Sequence, residues 1–125
     1  MPLQPGLTAA IELVVSEADT AIAMRSGDVA VLATPRVVAL VEEASVAATA
    51  GQLPPGHTTV GMRVQLDHVS PTPCGQTVRA EAHLEKIDGR RLVFTVSVTD
   101  RHGLAAAGKV TRVLVEVERF LEKCQ

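Results

Sequence analysis

The chain has 125 residues, 46% of them hydrophobic, and a formal net charge of -2. That is length enough for one domain around one core, and the mildly negative balance argues against a nucleic-acid or anionic-membrane partner, which calls for clustered excess Lys and Arg. The longest apolar runs, Val29 to Ala33 and Val37 to Val41, fall far short of the roughly 20 residues that a membrane-spanning helix needs.

The first stretch, MPLQPGLTAAIELVVSEAD, has no basic start, and Glu12 interrupts its apolar part. It is unlike a secretory leader, so a cytoplasmic location is expected. Residues 7–15 alternate loosely and predict a strand. The next segment is ambiguous: 18–24 suits a short helix, and Ser26-Gly27-Asp28 signals a turn.

A long helix is predicted over 35–50. Thr34 is a favoured N-cap residue and Pro35 suits the first helical position. Gly51 suits the stop, with Pro54-Pro55-Gly56 beyond it. Two adjacent carboxylates, Glu42 and Glu43, stand near the middle of this largely apolar helix. They point about 100° apart.

From residue 58 the pattern turns to period two. Val60, Met62, Val64, Leu66 and His68 fall on one face of a strand, with Arg63, Gln65 and Asp67 on the other. In the next strand Val78, Ala80, Ala82 and Leu84 alternate with Arg79, Glu81, His83 and Glu85. Asp88-Gly89 is a two-residue hairpin signal, and Leu92, Phe94, Val96 and Val98 continue on the return strand. After a turn at His102-Gly103, residues 104–120 read as the last strand. Cys74 and Cys124 are far apart, with no CxxC spacing, and are expected as two unpaired thiols.

The order is therefore strand, irregular segment, one long apolar helix, then four strands. Short connections imply antiparallel pairing, and a helix apolar on most sides has to be wrapped by a sheet. The predicted class is α+β, a hotdog fold: one domain over 1–125 whose antiparallel sheet curls around a central helix. With two Phe and no Trp or Tyr, the core rests on small aliphatic side chains, and burial between subunits would add stability.

Of four histidines only His68 lies on an apolar strand face; His57 and His102 belong to loops and His83 to a polar face. Alone, His68 reads equally as a histidine of the core rim. Glu42 shares a helix face with Val38, Ser45, Val46 and Thr49, and Glu43 with Ala39, Leu40, Ala47 and Arg36. A buried, unpaired carboxylate costs several kcal/mol and so protonates or finds a partner; the strand pattern offers His68 as the partner of Glu42. Gly61, inside a strand, marks a bulge or a close approach. No metal-ligand spacing, phosphate-binding Gly loop or GxSxG elbow is present.

The arrangement ATPRVVALVEEAS followed by TTVGMRVQLDHVSPTPCGQTVRAEAHLEKIDGRRLVFTVSVTD resembles the fluoroacetyl-CoA-thioesterase-like family of hotdog thioesterases, from about residue 28 onward. The most specific elements are Ala-Thr at the helix start, Glu eight residues on, and Gly-x6-His-x3-Thr-Pro in the next strand and loop. The resemblance implies hydrolysis of a short acyl-CoA to free acid and coenzyme A. It places the family's catalytic Thr, Glu and His on Thr34, Glu42 and His68, and its acyl-contacting glycine on Gly61. In this reading Glu42 attacks or activates water, while Thr34 orients the reactants or is itself the nucleophile. His68 then holds Glu42 or protonates the leaving thiolate. No cofactor is implied beyond the coenzyme A of the substrate, and a homodimer or dimer of dimers is expected. The segment TAIAMRSGDVAV lacks the phenylalanines of the family's best-known member, so a broader acyl-CoA thioesterase is expected. The alternative is a non-catalytic acyl-CoA or small-ligand binding protein on the same fold. A hotdog hydratase also uses an acid and a His, but its spacing is absent.

Overall fold

The computed structural model describes residues 3–125; Met1 and Pro2, the first residues of the stretch compared above with a secretory leader, lie outside the described residues. Five strands form one antiparallel sheet: β1 (Thr8–Val14), β2 (His57–His68), β3 (Thr77–Asp88), β4 (Arg91–Asp100) and β5 (Gly103–Glu116), in the order β1-β3-β4-β5-β2. Helix α1 (Thr34–Ala48) packs across the concave side, and a short helix α2 (Val117–Glu122) follows β5. This is the hotdog plan, antiparallel sheet around a central helix.

The core forms where two periodicities meet. Val37, Leu40, Val41, Ala44 and Ala48 make one buried stripe on α1, at the three- and four-residue spacings that put side chains on one helix face. Opposite them stand Val78, Ala80, Ala82 and Leu84 of β3 and Leu92, Phe94, Val96 and Val98 of β4, all buried. Alanines at 44, 48, 80 and 82 let helix and sheet approach closely. The sheet does not cover all of α1: Ala39, Glu43 and Val46 stay exposed.

Several elements differ from the sequence reading. The segment 18–24 is not an α-helix. A single 3-10 turn, Glu17–Asp19, leads into a loop closed at its neck by the Thr20–Leu32 bridge. Asp19 accepts hydrogen bonds from the Ser16 backbone and hydroxyl and from Arg36 Nε at 3.1 Å. Burial works against the charge of Asp19, but these bonds outweigh it and hold the carboxyl below its usual range. The β3–β4 loop is Gly89-Arg90, one residue later than expected, because Asp88 pairs with Arg91. Gly89 takes φ +62, as the first central position of a II′ hairpin turn requires. The chain turns helical at Val117, so residues 117–120 are not strand. Cys74 and Cys124 are free and exposed.

Strand β2 breaks the alternation read from sequence. Gly61 pairs with Arg112 and Arg63 with Thr111, which leaves Met62 as a bulge. One extra residue swaps the faces. Thr59 and Gly61 therefore face α1 before the bulge, and Val64, Leu66 and His68 after it. Val60 and Met62 do not share the inner face with Val64; Met62 is 47% exposed.

Candidate active site

Thr34 does not cap the helix. Ala33 is the N-cap, with extended φ -74 and ψ 142, and Thr34 opens the helix just before Pro35. The Ala33 N–H is held by the Asp19 carbonyl at 2.9 Å, which starts the helix one residue early. The Thr34 hydroxyl is thereby free for another partner, and its Oγ1 lies 2.8 Å from Nδ1 of His68. A hydroxyl within hydrogen-bond reach of an imidazole is the arrangement of a nucleophile and its base.

His68 ends β2, half-buried. Burial disfavours its charged form and holds its pKa below the ordinary 6.5, outweighing the opposing influence of the Ser70 backbone. The ring is therefore neutral near pH 7 and able to accept a proton. Among the described residues its buried Nε2 has no hydrogen-bond partner, an exception to the rule that buried polar atoms are paired, for which a catalytic role is one explanation. Thr34 and His68 together line a cleft of about 360 Å³ between the 21–32 loop and the strap that follows β2.

His68 is not the partner of Glu42. The carboxylate of Glu42 accepts a hydrogen bond from Nη1 of Arg112 at 2.8 Å. Arg112 is buried and saturated on its other edge: Nε donates to Thr59 Oγ1 at 2.9 Å and Nη2 to the Thr59 carbonyl at 2.8 Å. This fork fixes Glu42 as a planar guanidinium fixes a carboxylate. Ser45 and Thr49 are buried and bond their own helix carbonyls rather than lining a pocket beside Glu42.

Gly61 faces the same carboxylate. A Cβ placed there would collide with Glu42 Oε2 and stand 3.5 Å from Arg112 Nη1. The glycine therefore gives the acid its room, as well as marking the bulge. Glu43 is rotated away, half exposed, and pairs loosely with Arg36 at 3.7 Å.

Arg112 escaped the sequence reading. The signal was available: it occupies the middle of Val110-x-Arg112-x-Leu114, an arginine in register with inward apolar residues. Such a residue needs a partner inside, and Glu42 is that partner. Glu42 and Arg112 line a second cleft of about 540 Å³ with Ile11, Ala39 and Val46, and Glu43 stands at its exposed edge. Thr34 and Glu42 are thus the ends of two different clefts on one helix, roughly 12 Å apart along the axis at 1.5 Å per residue. Among the described residues no group of three or more His, Cys, Asp or Glu is placed to hold a metal ion, and no helix is long and apolar enough to cross a membrane.

Comparison with known proteins bears on this geometry. The profile of a family described as fluoroacetyl-CoA-specific thioesterase matches residues 15–118. The fluoroacetyl-CoA thioesterase of Streptantibioticus cattleyicolor is 37% identical over 93 residues, covering 74% of this chain and 67% of that protein. A phenylalanine-to-alanine variant of the fluoroacetyl-CoA-specific thioesterase FlK, solved in complex with fluoroacetate and CoA, superposes with a TM-score of 0.86 at 30% identity, over 94% of this chain and 99% of that one. A hot-dog-like protein from Thermanaerovibrio acidaminovorans shares the fold, with a TM-score of 0.91 at 23% identity over 98% and 91% of the two chains.

Proposed function

The chain belongs to the fluoroacetyl-CoA-specific thioesterase family and is a thioester hydrolase; from that premise we propose that it splits a short acyl-CoA into free acid and coenzyme A, using Thr34, His68 and Glu42. The observation that carries the assignment is the 2.8 Å contact between Thr34 Oγ1 and His68 Nδ1 at the wall of an open cleft.

In this reading neutral His68 takes the proton of Thr34 as the hydroxyl attacks the thioester carbonyl. The C–S bond breaks, the thiolate leaves as coenzyme A with that proton, and an acyl-Thr34 ester remains. Glu42, oriented by Arg112, takes a proton from the attacking water and passes it to the Thr34 oxygen as the ester C–O bond breaks, which releases the acid and restores the hydroxyl. Pro35 has no N–H, and the Arg36 and Val37 N–H groups already donate to the Ala33 carbonyl, so the N–H of Thr34 itself, at the open start of α1, is the group there that would serve the developing oxyanion. Gly61 serves the acyl group through the acid, because its missing side chain leaves the Glu42 carboxylate its room. No cofactor takes part, the whole chain acts as one domain, and the protein works in the cytoplasm.

Thr34–His68 and Glu42 lie too far apart on one helix to act on one carbonyl. We therefore assign the complete site to a homodimer or a dimer of dimers, with Thr34 and His68 from one copy and Glu42 from its partner. The uncovered Ala39–Val46 face of α1 is the apolar surface such a partner would bury. Light scattering at micromolar concentration should give at least twice the chain mass of 13.2 kDa. Mixing Thr34→Ala with Glu42→Gln subunits should restore part of the activity that each lacks alone. An active monomer, or no rescue on mixing, would overturn the shared site.

The hydrolase itself is tested by free-thiol release from a panel of acyl-CoA esters. Fluoroacetyl-CoA and acetyl-CoA should differ modestly in kcat/KM, because the 21–32 loop holds no aromatic side chain and small apolar differences are worth only about 1–3 kcal/mol. A ratio above about 10⁴ would reveal a selective device that this loop lacks.

The pH profile follows from His68. Free-enzyme groups govern kcat/KM, and His68 must be neutral to accept the Thr34 proton. Its pKa lies below 6.5, so activity should hold down to that pH and decline only as the pH falls further. Activity that instead falls as the pH rises through this range would mean that His68 acts as a charged acid, and its role as base would fail.

A further inference from the structure

The cleft beside Thr34 and His68 is larger than a two-carbon acyl group needs. Its volume is about 360 Å³, within the range of small-molecule sites. A water molecule takes about 30 Å³ in the liquid, and an acetyl group is on the order of two such volumes, so it fills well under half of this space. The far wall is apolar: Ala21, Val29, Val31 and Leu32 come from the loop and its neck, and Val69 from the strap. Val29 and Val69 are 61% and 62% exposed, two aliphatic side chains left to solvent within the wall that holds the catalytic hydroxyl. The one charged group in the lining is Asp28, exposed at the loop.

We infer that this cleft receives the acyl chain, and that the preferred substrates carry neutral, unbranched chains of about four to six carbons. The inference rests on the thioesterase reading and adds the substrate class to it. The chain would cover Val29 and Val69, and the carboxylate of Asp28 would repel dicarboxylic acyl groups such as succinyl.

The test is kcat/KM across acetyl-, butanoyl-, hexanoyl-, decanoyl- and succinyl-CoA. Burying one methylene, about 0.8 kcal/mol, corresponds to about fourfold. A rise of about tenfold from acetyl to butanoyl is expected, with a plateau at hexanoyl, a decline by decanoyl, and succinyl at least tenfold below butanoyl. Val29→Phe should flatten that rise, because its ring would occupy the space that the longer chain needs. Val29→Ser, which loses apolar surface without filling space, should weaken butanoyl and hexanoyl equally and serves if the larger side chain disturbs the loop. A profile that is flat or falls from acetyl to butanoyl overturns the acyl cleft. So does a rise that neither Val29 variant alters, which would put the chain elsewhere. Absence of thiol release from every ester would instead overturn the hydrolase reading beneath it.

Discussion

Glu42→Gln should lower steady-state kcat by at least about 10²-fold, the low end of a general-base contribution, while Glu43→Gln stays within a few-fold of the parent. The substitution keeps the shape of the side chain and removes its charge. In the proposed mechanism acylation uses Thr34 and His68, so a burst of about one thiol per site should precede the slow phase, as expected for a trapped acyl-enzyme. The two glutamates are neighbours in sequence but not in environment: Glu42 is held by buried Arg112 at 2.8 Å, and Glu43 meets Arg36 loosely at the surface. Thermal stability should fall by a few degrees in Glu42→Gln. Removing a desolvated charge can stabilise a protein, but here the guanidinium of Arg112 would lose its charged partner while remaining buried, so a loss is expected. Equal losses of activity at both positions would refute the separation of roles. If neither mattered and acyl-CoA still bound, a binding module would account for the protein better.

The largest loss of stability should come from Gly108→Ala. Gly108 of β5 pairs with Leu66 of β2, and a Cβ on it would collide with the Gln65 carbonyl oxygen and stand 2.9 Å from Leu66 Cα. Both obstacles are backbone, so neither can rotate aside. β2 would have to separate from β5 at this point, breaking ladder hydrogen bonds next to Val110 and Ala106 of the core. A cost of about 3 kcal/mol or more, the large end for single substitutions, is expected. On a chain of this size that amounts to a fall in Tm of roughly 10 °C. Gly89→Ala supplies the comparison: its Cβ would meet nothing within 4 Å, and only its positive φ opposes the change, so about 1 kcal/mol is expected. If calorimetry found Gly108→Ala no worse than Gly89→Ala, the close approach of the two strands would be wrong.

Much of this molecule is local and therefore legible in the chain. The helix could be placed within two residues because its apolar stripe, Pro35 and Gly51 act through nearest neighbours. The β3–β4 hairpin could be read because alternation and a turn glycine are local as well, although the loop proved to be Gly89-Arg90. Thr34, Glu42, His68 and Gly61 stood out through residue type, spacing and family resemblance. What pairs with what was decided only in three dimensions. A one-residue bulge at Met62 turned Gly61 toward Glu42, and period-two counting cannot anticipate an inserted residue. The sheet order set β2 beside β5, so Glu42 met an arginine 70 residues away instead of His68. The Asp19 carbonyl took the Ala33 N–H, which moved the N-cap and released the Thr34 hydroxyl to His68. These partnerships join elements distant in sequence, and their geometry depends on how the sheet curls and where the helix lies across it, which no window of neighbouring residues encodes.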